Sequence, residues 1–84
     1  MSKTIRPLPI NEEHCLHFAM RYALGRVSTA PSIVSREIAL KWPRLQDYTK
    51  WAMKREITEA IARDEAGRDC DIESWQAVLN LPNP

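Results

Sequence analysis

His17-Phe18-Ala19-Met20-Arg21-Tyr22-Ala23-Leu24-Gly25-Arg26 is the most apolar part of the chain and ends at one of its two glycines. Upstream, Asn11 supplies an N-cap, and Glu12 and Glu13 put carboxylates in the first turn, where the helix dipole favours them. The stretch therefore predicts a helix from about Asn11 to Leu24. Gly25 is expected as its left-handed stop and Arg26 beside its last carbonyls. At 100° per residue, Cys15, Leu16, Phe18, Ala19, Tyr22 and Ala23 share one face, and Met20 and Leu24 widen it. Glu13, His14, His17 and Arg21 fall on the wet side. Such wide apolar cover suits a central helix with neighbours on more than one side.

The residues beyond it divide into further helices. Val27 to Ser32 form a connection, and Pro31 fits the first turn of a second helix because its missing N–H would be unpaired there. Ile33, Val34, Ile38 and Trp42 give that helix its stripe, and Pro43 stops it near Trp42. A third helix is expected from Asp47 to about Ala66, ending at Gly67. It carries Met53, Ile57, Ala60 and Ile61 on one side and Tyr48, Trp51 and Ala52 on another. Asp71 can cap a last helix from Ile72 to about Asn80 that buries Trp75, Val78 and Leu79. Residues 1–10, with prolines at 7 and 9, read as an extended arm, and 81–84 as a tail. No strand period and no repeat interrupts the pattern. The fold class expected is all-α: a single domain, a small bundle of about four helices with short loops.

Composition narrows the function classes. Eighty-four residues, 44% of them hydrophobic, make one small domain with a stability of about 5 kcal/mol. A host protein complex, or a second copy of the chain in a homodimer, would add to it. Two cysteines are too few for a disulfide scaffold, and no apolar run is long enough for a membrane span or a leader. We expect a cytoplasmic protein with reduced thiols and no membrane partner. The net charge of +1 conceals an uneven distribution. Arg21 to Arg55 holds eight Lys/Arg against Glu37 and Asp47, a net +6, whereas Glu56 to Glu73 holds seven acids against two Arg, a net −5.

Chemistry-bearing residues do not assemble into a catalytic set. His14 and His17 lie on one helical face but lack a third and fourth ligand at useful spacing. Cys70 is flanked by Asp69 and Asp71, which blunt a thiol, and Cys15 falls on the apolar face. Two isolated glycines cannot cradle a phosphate. We expect no enzyme, no cofactor and no metal.

Two binding patterns stand out. A helix, a glycine turn and a polar-fronted second helix outline a helix-turn-helix, with Ser28, Thr29, Ser32, Ser35 and Arg36 toward DNA and Arg21, Arg26, Lys41 and Arg44 around them. The long turn and Pro31 at the start of the reading helix fit that motif poorly. The second pattern is Trp42, Tyr48 and Trp51 interleaved with Arg44, Lys50, Lys54 and Arg55, the composition of a protein-binding hot spot or of a nucleic-acid groove. The competing reading places both tryptophans in the core.

Arg21-Tyr22-Ala23-Leu24-Gly25-Arg26, then Thr29-Ala30-Pro31-Ser32 and Cys70-Asp71-x-x-x-Trp75, resembles a group of small uncharacterised proteins encoded by bacteriophages and prophages. The likeness runs from about His14 to Leu79 and carries over no functional residue. It implies a phage or mobile-element accessory protein in a bacterial cytoplasm. Such a protein would bind, and inhibit or redirect, a host machine such as a CRISPR effector, a nuclease or a polymerase. A helix-turn-helix regulator is the alternative.

Overall fold

Four helices and one tight turn follow from these signals in a computed structural model that describes residues 6–25, 30–63 and 72–83. Helix α1 is Ile10–Gly25, α2 is Pro31–Lys41, α3 is Asp47–Ala62 and α4 is Ile72–Leu79, with a 3-10 turn at Trp42–Arg44 between α2 and α3. No strand occurs among the described residues. Helices α1 and α4 each pack against both α2 and α3. The fold is therefore the expected small all-α bundle.

The prolines act as punctuation. Pro31 opens α2, preceded by an extended Ala30 whose carbonyl takes the Ile33 and Val34 N–H groups at 3.2 and 3.3 Å. Pro43 converts the end of α2 into the 3-10 turn, which closes with the Leu45 N–H on the Trp42 carbonyl at 3.2 Å. Pro9 accepts the Glu13 N–H at 3.0 Å, so α1 starts at Ile10, one residue earlier than expected. Asn11 thus lies inside the first turn, its Oδ1 accepting the Glu12 N–H at 3.0 Å, and does not cap the helix. Gly25 closes α1 without a left-handed φ. Helix α3 ends at Ala62, four residues before the expected Ala66, with Arg63 as its C-cap and the Arg63 N–H on the Glu59 carbonyl at 3.0 Å; the Gly67 stop and the Asp71 cap lie outside the described residues.

The face that α1 buries differs from the expected one. Glu13, Met20, Ala23 and Leu24 are buried, whereas Phe18, Tyr22 and Cys15 are exposed. The stripe at 13, 16, 20, 23 and 24 has helical spacing with a carboxylate at its head. Bulk in the core comes from elsewhere: Trp42, Trp75, Met53, Ile38, Ile57 and Leu45 belong to one buried cluster with Met20. With two tryptophans arriving from α4 and the 3-10 turn, the core has no need of Phe18 or Tyr22.

Glu13 is 1% exposed, and its partners explain why a carboxylate is tolerated there. It receives the Thr49 hydroxyl on Oε2 and the Gln46 N–H on Oε1 at 3.4 Å. Gln46 is the N-cap position of α3 and makes no side-chain cap of its own. A side chain of α1 thus caps α3, where the orphan N–H groups and the positive dipole end favour an anion.

Both chain ends are tied to the 3-10 turn. The Leu8 N–H reaches the Arg44 carbonyl at 3.0 Å, and the Arg44 guanidinium returns a bond to the Arg6 carbonyl at 2.9 Å. At the other end Trp42 Nε1 donates to the Pro82 carbonyl at 2.8 Å, and Lys54 donates to the Leu81 carbonyl and to Asn83 Oδ1.

Candidate interaction site

The exposed side of α1 faces the exposed side of α3. His14, Phe18 and Arg21 of α1 and Tyr48 and Ala52 of α3 wall a groove of about 420 Å3 that also takes in the half-buried His17 and Glu56. Phe18 is 67% exposed, Tyr48 80%, Trp51 64% and Tyr22 49%. Phe18 and Tyr22, one helical turn apart, stack with centroids at 6.5 Å and an interplanar angle of 27°. Trp51 lies one turn beyond Tyr48 and lines a second groove of about 410 Å3 with Lys54, Arg55, Thr58, Glu59 and Asn83. Trp42 and Trp75 are buried, so four of the six aromatics decorate these two helices.

A polar cluster fastens the two walls. Glu56 accepts Arg21 in a bidentate fork, Nε at 2.9 Å and Nη2 at 3.0 Å, and its Oε1 also meets His17 Nε2 at 3.1 Å. Burial pushes the Glu56 carboxyl up, but the hydrogen bond from Arg21 and the charge and bond of His17 outweigh it, so its pKa falls below the ordinary 4.5. The same bond raises the already high Arg21 pKa. A carboxyl with a lowered folded-state pKa stabilises above its unfolded value and loses that contribution as pH falls through the folded one. The thermal midpoint is therefore expected to decline as pH drops below about 4.5. Glu56→Gln, less stable at neutral pH, should converge on the wild type as pH falls through the lowered folded-state pKa of Glu56. Parallel pH curves for the two proteins would remove this role for Glu56.

The residues expected to form one basic-aromatic patch are separated. Trp42 is 3% exposed and belongs to the core, with Lys54 Nζ over its ring at 5.7 Å. Its indole is consumed by packing and by the bond to Pro82, so the core reading prevails for Trp42 and the exposed one for Trp51. Arg44 and Lys54 hold the chain ends. Lys41 pairs with Glu37 at 2.5 Å, Lys50 with Asp47 at 3.6 Å and Arg55 with Glu59 at 3.3 Å. Arg21–Glu56 joins the basic and acidic blocks directly. Of the six cations left over in the middle segment, Arg21 and Arg55 thus meet acids from beyond it, and Arg44 and Lys54 are held by backbone carbonyls. Ser32 and Arg36 are exposed on α2, and Arg36 has no ion-pair or hydrogen-bond partner among the described residues. Ser35 is buried, its hydroxyl on the Ser32 carbonyl at 3.2 Å, and so does not face a DNA partner. Arg26, Ser28 and Thr29 lie outside the described residues.

Tyr48 and Trp51 belong to the expected aromatic pattern, whereas Phe18 and Tyr22, expected as packing residues, join them here. The signal for them was the alternative stripe of α1, which leaves Phe18 and Tyr22 outward. Among the described residues no three His, Cys, Asp or Glu side chains are grouped to hold a metal ion, and no helix is long and apolar enough to cross a membrane. No protein-family model, no curated protein and no solved structure matches the chain.

Proposed function

We propose that this protein works by stoichiometric binding to another protein, with the α1–α3 face as its contact surface. One observation carries the reading: Phe18 and Tyr48 are exposed across one groove between two helices joined by the Arg21–Glu56 pair, with Tyr22 stacked on Phe18 and Trp51 exposed one turn beyond Tyr48. Exposed aromatics lose little side-chain entropy on contact, and with a nearby guanidinium they form the usual anchors of a protein interface. A rigid aromatic face also needs no ordering step when it binds. The resemblance to phage-encoded proteins makes a host protein complex, inhibited or redirected by the contact, the partner we favour.

The helix-turn-helix alternative draws support from Ser32 and Arg36 on α2. That support is thinner, because Ile33 and Leu40 share the same outward side and phosphate binding is carried by several unpaired cations. Titration with duplex DNA at low and high salt separates the readings, since only a DNA binder shows a steep salt dependence.

The test compares captures from bacterial lysate by the wild type and by Phe18→Ala/Trp51→Ala. Both side chains are exposed, so the double variant should melt with the wild type. We expect a protein retained near one-to-one by the wild type, with affinity reduced about tenfold per substitution in purified form. Equal capture by both proteins would move the contact away from this face.

A further inference from the structure

We propose that α2 is the interface of a two-fold symmetric homodimer, formed by two antiparallel copies of this helix. The proposal stands apart from the α1–α3 reading and rests on different residues.

Ile33 and Leu40 are 64% and 69% exposed. They are seven residues apart, so they lie on one side of α2, about 20° from each other around the helix and about 10 Å apart along it. Arg36 and Glu37 occupy the same side between them. The outward stripe therefore reads apolar, cation, anion, apolar. Turned end for end about an axis between positions 36 and 37, it becomes its own complement. Ile33 meets Leu40 of the partner subunit, and Arg36 meets Glu37 of the partner subunit. Symmetry makes each contact twice. A parallel alignment would instead set Arg36 on Arg36, so the charges select the antiparallel one.

The state of the two charges fits this use. Arg36 has no partner within the described chain. Glu37 gives only Oε1 to Lys41, and its Oε2 has no hydrogen-bond partner among the described residues. Each chain thus displays an unanswered cation and an unanswered carboxylate oxygen, flanked by apolar side chains that would otherwise face water. A helix pair packs at about 8–10 Å, a distance at which these side chains span the contact. Helix α2 has 11 residues and is about 16 Å long. Such a contact buries less than the roughly 1,200 Å2 of a standard interface, so the dimer dissociates at about 0.01–1 mM. None of Ile33, Arg36, Glu37 and Leu40 lines the α1–α3 groove, so the dimer contact and the aromatic face use different residues.

Sedimentation equilibrium of the full chain under reducing conditions, which removes any disulfide through the exposed Cys15, tests this between about 10 µM and 1 mM. The wild type is expected to shift from monomer to dimer. Arg36→Glu, which breaks no contact within the described chain, should weaken the dimer about tenfold, because two attractions become two repulsions. Arg36→Glu/Glu37→Arg restores opposite charges across the axis and should dimerise about tenfold more tightly than Glu37→Arg, which loses the same pair with Lys41. Leu40→Asp should leave only monomer, with an unchanged circular dichroism spectrum. A wild type that stays monomeric at the highest concentration overturns the proposal. So does a charge-exchanged double variant no tighter than Glu37→Arg, and so does a dimer that survives Leu40→Asp.

Discussion

Glu13→Ala is expected to cost about 3 kcal/mol of folding stability and lower the melting temperature by about 15 °C. The estimate has two parts. Removing an N-cap costs about 1–2 kcal/mol, and Glu13 fills that role for α3 through the Gln46 N–H. Truncation also strands the buried Thr49 hydroxyl, which loses its Glu13 partner. A buried hydroxyl or amide left without a partner costs about 1–3 kcal/mol. Against a total near 5 kcal/mol, the loss brings the domain close to the unfolding threshold. Glu13→Gln keeps the shape and one carbonyl acceptor and gives up the charge at the dipole end, so it should cost only about 1 kcal/mol. Glu12, its exposed neighbour, is the control: Glu12→Ala should stay within about 0.5 kcal/mol of the wild type. Urea titrations followed by circular dichroism give all three values. Equal midpoints for the alanine variants at 12 and 13 would mean that Glu13 is not the cap of α3.

Helix number and most boundaries were legible because they are written locally. Pro31 and Pro43 bracket α2 to within one residue, and the apolar spacing of Met53, Ile57 and Ala60 gives the buried side of α3. The orientation of α1 was not legible from its own wheel. Its apolar residues cover so much of the circumference that two stripes are nearly equivalent, and the choice is made by distant segments. Glu13 is drawn inward by donors 33 and 36 residues away. That inward rotation leaves Phe18 and Tyr22 facing water, where a helix read alone would bury them. The charges follow the same division. Arg55–Glu59 can be read from i,i+4 spacing, whereas Arg44 with the Arg6 carbonyl, Lys54 with the tail and Arg21 with Glu56 are long-range. Those pairings turned an expected basic patch into internal bracing, and they explain why the candidate site moved from Trp42–Arg55 to the α1–α3 groove.

Trp75→Ala should be the most damaging single substitution, at about 4 kcal/mol, leaving a large unfolded fraction at 37 °C. Trp75 is fully buried and sits on the eight-residue α4, which packs against both α2 and α3. A helix that short has no stability of its own and is held by its buried side chains. Emptying the Trp75 site therefore removes α4 and uncovers α2 and α3 together. Phenylalanine substitutions give a finer comparison. Trp75 Nε1 is buried without a hydrogen-bond partner among the described residues, while Trp42 Nε1 donates to the Pro82 carbonyl. Trp75→Phe opens a modest cavity but also removes an unsatisfied donor, a partial compensation of about 1–3 kcal/mol. Trp42→Phe opens a similar cavity, breaks a bond that ties down the C-terminal residues, and weakens the ring beneath Lys54. Trp42→Phe is therefore expected to be the more destabilising of the two, by about 1–2 kcal/mol. The reverse order in urea midpoints would mean that the Trp75 indole N–H is satisfied in solution. Its burial would then have to be understood as part of a hydrogen-bonded network, and α4 would be held by a polar contact as well as by apolar ones.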